Sequence, residues 1–356
     1  MSLLDKIKKN STIKDSSILS KSKFFQAKDM IQTSIPAMNI ALSGDIDGGF
    51  TPGLTMWAGP SKHFKTAFSL IMAKAYLDKY PDGVVLFYDS EFGTPKSYFE
   101  TFQIDEERVI HTPLTDVEQL KFDIMNQLKE ITRGDRLMII IDSIGNLASK
   151  KEVEDALDQK SVGDMTRAKQ IKSLFRMVTP HLTLKDIPMV VVNHTYMEIG
   201  MFPKAIVGGG TGSYYSADNI FILGRQQEKD GAELLGYNFI INVEKSRYVK
   251  EKAKIPISVK FDGGISKYSG LLEMALESGH VVKPTNGWYS RVDTETGEVE
   301  DKKFRVKDTD TADFWNKILK DKTFLEWIKK NYSYGANSMY SSYDEEVPVT
   351  EEEEDA

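Results

Sequence analysis

Apolar residues in this chain come in short unbroken runs. LTMWA (54–58), VVLFYD (84–89), LMIIID (137–142), PMVVVN (188–193), NIFIL (219–223) and FIINVE (239–244) recur between about residue 35 and residue 262. Runs of this length without polar alternation suit strands covered on both faces. Segments with helical spacing lie between or after them, at 66–79, 117–132, 164–178 and 313–320. Strand followed by helix, repeated, predicts an α/β fold with a central, mostly parallel sheet flanked by helices. The last two runs are too close together for a long crossover, so they are expected to pair antiparallel.

The pattern changes at both ends. Residues 1–33 are polar and Lys-rich, with one apolar pair at Phe24 and Phe25, and read as an N-terminal arm. The core is expected over 34–262, closed by FDGGIS (261–266). A small C-terminal α+β domain is expected over 263–335, with an acidic, disordered tail over 336–356. No internal repeat is visible.

Composition narrows the classes. The absence of cysteine excludes disulfides and thiolate metal sites. No apolar run approaches the roughly 18 residues of a spanning helix, so no membrane partner is expected and the cytoplasm is the expected location. The net charge is −7, yet eight acids lie at or after Asp344 with no Lys or Arg among them. The remaining body is therefore slightly basic and suited to meeting an anion.

Candidate chemistry sits at the ends of the apolar runs. Gly59, Pro60, Ser61, Lys62, His63, Phe64, Lys65 and Thr66 follow the first run. They match the phosphate-loop pattern G-x-x-x-x-G-K-[ST], except that Phe64 replaces the second Gly. Such a loop works because backbone N–H groups and a helix N-terminus point at phosphate oxygens. Lysine adds a point charge and the hydroxyl meets Mg²⁺. The second run ends in Asp89 with Glu91 close behind, a candidate for orienting or deprotonating a water. The third ends in Asp142, the Walker B form, and the fourth in Asn193 and His194. Each has an ordinary alternative: a structural turn, a capping Asp, a pair of solvated acids. Ligands of open α/β sheets bind outside the C-terminal ends of the strands, and four runs deliver such groups to one edge.

GPSKHFKT, YDSEFG, IIIDSIGNLASKKE, DMTRAK, KSLFR, NHTY, GGGTG, YSAD, NVEKSR and FDGG occur in this order from about Ser22 to Tyr289. In this the chain resembles the UvsX-type phage recombinases, relatives of bacterial RecA, including the Phe in the phosphate loop. The resemblance implies a RecA-like P-loop ATPase that forms helical filaments on single-stranded DNA and exchanges strands with a homologous duplex. It implies ATP and Mg²⁺ as cofactors. Lys65 is then the phosphate contact, Thr66 and Asp142 the Mg²⁺ ligands and Glu91 the catalytic base. His194 becomes the γ-phosphate sensor, in place of the Gln usual in RecA. Tyr98 matches an aromatic that packs on adenine, with a core tyrosine as the alternative.

Two segments become DNA-loop candidates. Residues 149–176 end in Arg167, Lys169, Lys172 and Arg176, which could neutralise phosphates or simply be solvated. Residues 195–216 carry Phe202, Lys204 and the run Gly208, Gly209 and Gly210, expected as mobile hinges. Lys245 and Arg247 match cations inserted into the neighbouring subunit's ATP site. Phe24, Phe25 and Ala27, in FFQA, resemble an element that docks on the next subunit, or else anchor the arm to its own core. The expected partners are single- and double-stranded DNA, further copies of the chain, a single-stranded-DNA-binding protein and a loading mediator. A hexameric helicase with the same core and a poorly hydrolysing mediator paralogue are the alternatives.

Overall fold

All six apolar runs form strands of one sheet. The computed structural model describes residues 2–13, 16–24, 28–158, 166–201 and 203–334. Phe25, Ala27, Phe202 and the acidic tail lie outside the described residues. The strands, in chain order, are β1 (Gly53–Ala58), β2 (Val84–Asp89), β3 (Val109–Pro113), β4 (Leu137–Asp142), β5 (Pro188–Asn193), β6 (Thr195–Met197) and β7 (Ala205–Val207). They continue with β8 (Asn219–Asp230), β9 (Glu233–Lys245), β10 (Lys254–Lys260), β11 (Gly264–Ile265), β12 (Val281–Thr285), β13 (Trp288–Arg291) and β14 (Phe304–Arg305).

Among the described residues the central sheet has nine strands in the order β11-β10-β9-β8-β1-β5-β4-β2-β3. From β8 to β3 all neighbours are parallel, while β9, β10 and β11 add antiparallel. The parallel strands β1, β4 and β5 are buried at every position, which is why their sequences run apolar without alternation. One face is covered by helices Pro36–Ser43 and Lys65–Lys79, with Trp57, Phe68 and Phe221 in its centre. The other is covered by helices Val117–Glu130 and Thr166–Lys185, through Leu120, Ile124, Ile171 and Phe175.

The structure departs from these expectations in three places. The helix expected to end at Val178 runs on to Lys185 through Pro180. The strand β3 was not expected: its burial is intermediate or exposed throughout, since it sits at the sheet edge and lacks an apolar run. The polar stretch before residue 34 already contributes to the core. Ile31 is buried and exchanges both backbone hydrogen bonds with Phe50.

Beyond β11, helix Leu271–Glu277 leads to a three-stranded antiparallel sheet in the order β12-β13-β14. Helices Ala312–Ile318 and Lys322–Tyr332 complete this region, with Phe314, Trp315 and Phe324 buried. Among the described residues no helix is long and apolar enough to cross a membrane.

Candidate functional site

The C-terminal ends of β1, β2, β4 and β5 bring the expected residues together. A cleft of about 700 Å³ is lined by Ser61 to Thr66, Glu91, Tyr98, Asp142 and His194. The phosphate loop leaves β1 and enters helix Lys65–Lys79 directly, so the first helical N–H groups face this cleft. Lys65 is buried, and its Nζ donates to the Pro60 carbonyl at 2.8 Å. Burial pulls its ammonium below the ordinary lysine range, while Glu91 and Asp142 oppose that shift.

The Thr66 hydroxyl donates to Asp142 Oδ2 at 2.6 Å. Asp142 is 2% exposed, and its Oδ1 has no hydrogen-bond partner among the described residues. Burial pushes its carboxyl up to about 6; the Thr66 hydrogen bond opposes this and the negative charge of Glu91 adds to it. A buried carboxylate oxygen without a partner, beside a hydroxyl, suits a hard cation. Mg²⁺ typically takes one or two protein oxygens and completes its shell with water and phosphate. Among the described residues there is no cluster of three or more His, Cys, Asp or Glu able to hold a metal by itself.

Glu91 Oε1 lies 3.0 Å from His194 Nε2. This hydrogen bond holds the Glu91 carboxyl below the usual range; burial opposes it and the charge of Lys65 assists. Asp89 positions Glu91 from below. Its Oδ1 accepts from the Glu91 and Phe92 amides at 3.0 and 2.8 Å. His194 is held in turn: its amide donates to Asn193 Oδ1 at 2.8 Å, and its carbonyl accepts from the Gly208 amide at 2.9 Å. Any side chain at Gly145 would begin 2.4 Å from the His194 ring. Tyr98 lines the cleft and packs edge-on against Phe102.

Sequence reasoning missed one wall of the cleft. Arg225, Tyr237, Phe239, Val259 and Phe261 come from β8, β9, β10 and the turn after it. They follow the motifs at no fixed spacing, and only the pairing of β8 with β9 and of β9 with β10 brings them to the phosphate loop.

The family model of the RecA N-terminal domain matches residues 2–266. A second, described as the C-terminal domain of the bacteriophage T4 recombination and repair protein, matches residues 268–328. The Recombination and repair protein of Enterobacteria phage T4 is 56% identical over 338 residues, covering 94% of this chain and 86% of that protein. Protein RecA of Bacteroides thetaiotaomicron is 27% identical over 277 residues, covering 77% and 81%. Protein RecA of Streptomyces rimosus is 25% identical over 329 residues, covering 90% and 85%. The chain belongs to the RecA family, in the branch of the phage recombination and repair proteins.

In this RecA-type chain the DNA-facing candidates are placed unequally. Lys169, Lys172 and Arg176 are exposed along one side of helix Thr166–Lys185. Arg167 departs from expectation. Its guanidinium donates to the carbonyls of Ile144, Gly145 and Leu147 at 3.0, 2.7 and 2.5 Å. Three carbonyls of the loop after β4 engage it, so in this arrangement it ties that loop down. The strands β6 and β7 pair as a short hairpin, with Ile199, Met201 and Lys204 exposed at or near its tip. Gly208 is no free hinge: its amide bonds to His194 and its carbonyl accepts from Asn193 Nδ2 at 2.8 Å. Gly209 and Gly210, at φ 88° and 75°, make the turn into helix Thr211–Ser216.

Lys245 and Arg247 lie at the other edge of the sheet. Lys245 Nζ donates to the Tyr214 and Tyr215 carbonyls at 2.9 and 3.3 Å, and Arg247 Nε pairs with Asp218 Oδ1 at 2.6 Å. Phe24 lies beneath the Arg133 guanidinium of the same chain, 5.2 Å from ring centroid to Cζ.

Proposed function

We propose that the chain is a DNA-dependent ATPase whose ATP site is completed by the next subunit of a helical filament on single-stranded DNA. The filament then exchanges strands with a homologous duplex. The observation that carries this is the separation of the two charged sets. Lys65, Thr66, Glu91, Asp142 and His194 meet at the C-terminal edge of the parallel strands. Lys245 sits six residues along β9 from Phe239, which lines that cleft, a distance of about 20 Å in an extended strand. Lys245 and Arg247 therefore cannot reach the phosphates of their own chain, and a head-to-tail neighbour would bring them there.

Within the site, each side chain has a task suited to its surroundings. The Glu91 carboxylate, ionised at neutral pH, accepts the proton of an attacking water and is aimed by His194 and Asp89. Lys65 exchanges its Pro60 partner for phosphate oxygens. Thr66 and Asp142 would hold Mg²⁺, which when bound neutralises charge on the phosphates. Tyr98 and Phe261 offer aromatic faces at the cleft for a base. His194 joins Glu91 to the β6–β7 hairpin through the Gly208 backbone, a direct route from DNA contact to hydrolysis. Lys169, Lys172, Arg176 and Lys204 supply charge along the DNA path.

The hexameric-helicase and mediator readings are not favoured, because both matched families are those of recombination proteins. Further copies of the chain and both forms of DNA are the partners this reading requires. A single-stranded-DNA-binding protein and a loading mediator belong with it, in the cytoplasm of an infected cell. The test combines ATP hydrolysis with and without single-stranded DNA, joint-molecule formation and electron microscopy of the assembly. DNA-stimulated turnover, joint molecules and open helical filaments are expected. Closed rings that unwind duplex without joint molecules would replace this reading with the helicase.

A further inference from the structure

The phosphate loop holds two residues in a conformation that glycine ordinarily supplies. Lys62 has φ 60° and Phe64 φ 65°, both left-handed. A side chain in that region strains against its own backbone, so it persists only where surroundings impose it. The strands β8 and β9 hold partners for both positions. The Phe64 ring stacks on Phe239, with centroids 4.8 Å apart and planes 18° from parallel, and meets Phe68 edge-on at 5.7 Å. Arg225 lies directly across from Phe239 in the strand pairing. Its Nη1 donates to the Lys62 carbonyl at 3.2 Å, and its guanidinium lies 4.7 Å from the Tyr237 ring centroid.

We infer that Phe239, Arg225 and Tyr237 form a clamp that holds the phosphate loop in its left-handed shape, and so act as positioning residues for nucleotide binding. Phe64 is then a point of attachment, where the usual glycine would be a point of freedom. Its ring, at the wall of the cleft, joins a chain of aromatic contacts running through Phe68 to Trp57 in the core. The Gly59 amide bonds to the Asn193 carbonyl at 3.2 Å, and the first amides of helix Lys65–Lys79 are the ones placed to meet phosphate. Arg225 is held by the Lys62 carbonyl and the Tyr237 face, which marks it as a tie on the loop. This inference rests on the cleft being the nucleotide site.

The test measures binding of a fluorescent ADP analogue with Mg²⁺ to the full chain, alongside thermal melting of each variant. Arg225→Ala, at an exposed position, is expected to weaken binding about threefold, and Phe239→Ala about tenfold, equivalent to about 1.4 kcal/mol. Phe64→Gly costs less than Phe239→Ala, because glycine adopts the loop shape unaided. The decisive arms are the rescues. Phe64→Gly placed on Phe239→Ala, and Lys62→Gly placed on Arg225→Ala, each recover most of the lost affinity. Should the phenylalanine variant melt too early to assay, the Arg225 and Lys62 pair decides alone. Unchanged affinity in the single variants, or doubles no tighter than the singles, overturns the clamp while leaving the nucleotide site intact. No binding by the unaltered chain overturns the nucleotide reading and the clamp with it.

Discussion

The two edges of the central sheet carry charge in opposite ways. At the C-terminal edge of the parallel strands, Lys65, Thr66, Asp142, Glu91 and His194 face one another across hydrogen-bonding distances and a single cleft. The ionic groups there are partly or wholly buried, and burial moves Lys65 and Asp142 away from their ordinary protonation ranges. At the opposite edge, Lys245 and Arg247 engage the carbonyls of Tyr214 and Tyr215 and the carboxylate of Asp218. Burial there also pulls the Lys245 ammonium down. One edge is prepared within a chain. The other holds its cations on partners of the same chain, and under the proposed filament a neighbour's phosphates would displace those partners. The difference teaches that, if the proposed filament forms, half of its catalytic site looks complete in one chain while the other half looks like ordinary surface.

The comparison breaks most sharply at the prepared edge. Lys65→Ala and Glu91→Gln are each expected to lower DNA-stimulated phosphate release by at least about a hundredfold, the lower range for removing a general base or a charge at the reacting group. Glu91→Gln should still bind nucleotide, which separates the lost proton acceptor from lost binding. Turnover unchanged in both would empty the edge of its chemistry.

The opposite edge is tested by mixing. Lys245→Ala/Arg247→Ala is expected to be as inactive as Glu91→Gln in phosphate release, yet to bind nucleotide. Combined in equal amounts on single-stranded DNA, the two inactive chains should regain a substantial fraction of turnover. Each then supplies what the other lacks across an interface. No regain would place both edges on one chain and remove the reason for a filament.

Asp142 sharpens the electrostatic half of the contrast. Its folded pKa of about 6 stands above the ordinary 3.8. A raised carboxyl favours the folded state most when protonated, so its stabilising contribution is complete below pH about 4 and is lost as pH rises through 6. In nucleotide-free protein, Asp142→Asn should therefore be the more stable form at pH 7, by up to about 3 kcal/mol. The difference should close toward pH 4. Thermal melts of both forms across that range check it. A gap that widened with acidification would reverse the assignment. Cation binding should tip the balance the other way, favouring aspartate near neutrality.

The smallest effects concern DNA. Lys172→Ala and Arg176→Ala should each lower single-stranded-DNA affinity a few-fold and reduce the salt slope by about 0.7 for each phosphate no longer neutralised. Arg167→Ala should instead lower the melting temperature and leave the salt slope in place, because its guanidinium is bound to carbonyls. A salt-slope change at Arg167 as large as at Lys172 would return it to the DNA path.

Much of the prepared edge was legible because the physics that builds it is local. A strand buried on both faces must be continuously apolar, so its end is visible where polarity returns: Asp89, Asp142 and Asn193 each stand at that point. A phosphate loop must join a strand to a helix, so Gly59 to Thr66 could be placed between both. Edge elements left weaker marks. The strand β3 is too exposed to read as apolar, and Ile31 is one buried residue in a polar stretch. The carbonyl partners of Arg167 were not legible, because a cationic residue near a candidate DNA loop carries no sign of which carbonyls surround it.

The chain's own order of residues determined the α/β class, the phosphate loop, the carboxylates that face it and the family to which it belongs. These follow from burial, helix starts and chain reversals, which act over a few residues. Only the tertiary structure decided that Lys245 and Arg247 stand at the far edge from Lys65, that three carbonyls engage Arg167, and that Phe64 rests on Phe239. Those outcomes depend on strand order and on pairing between segments far apart in the chain. No local pattern encodes such arrangements, because each forms only when the whole sheet has been assembled.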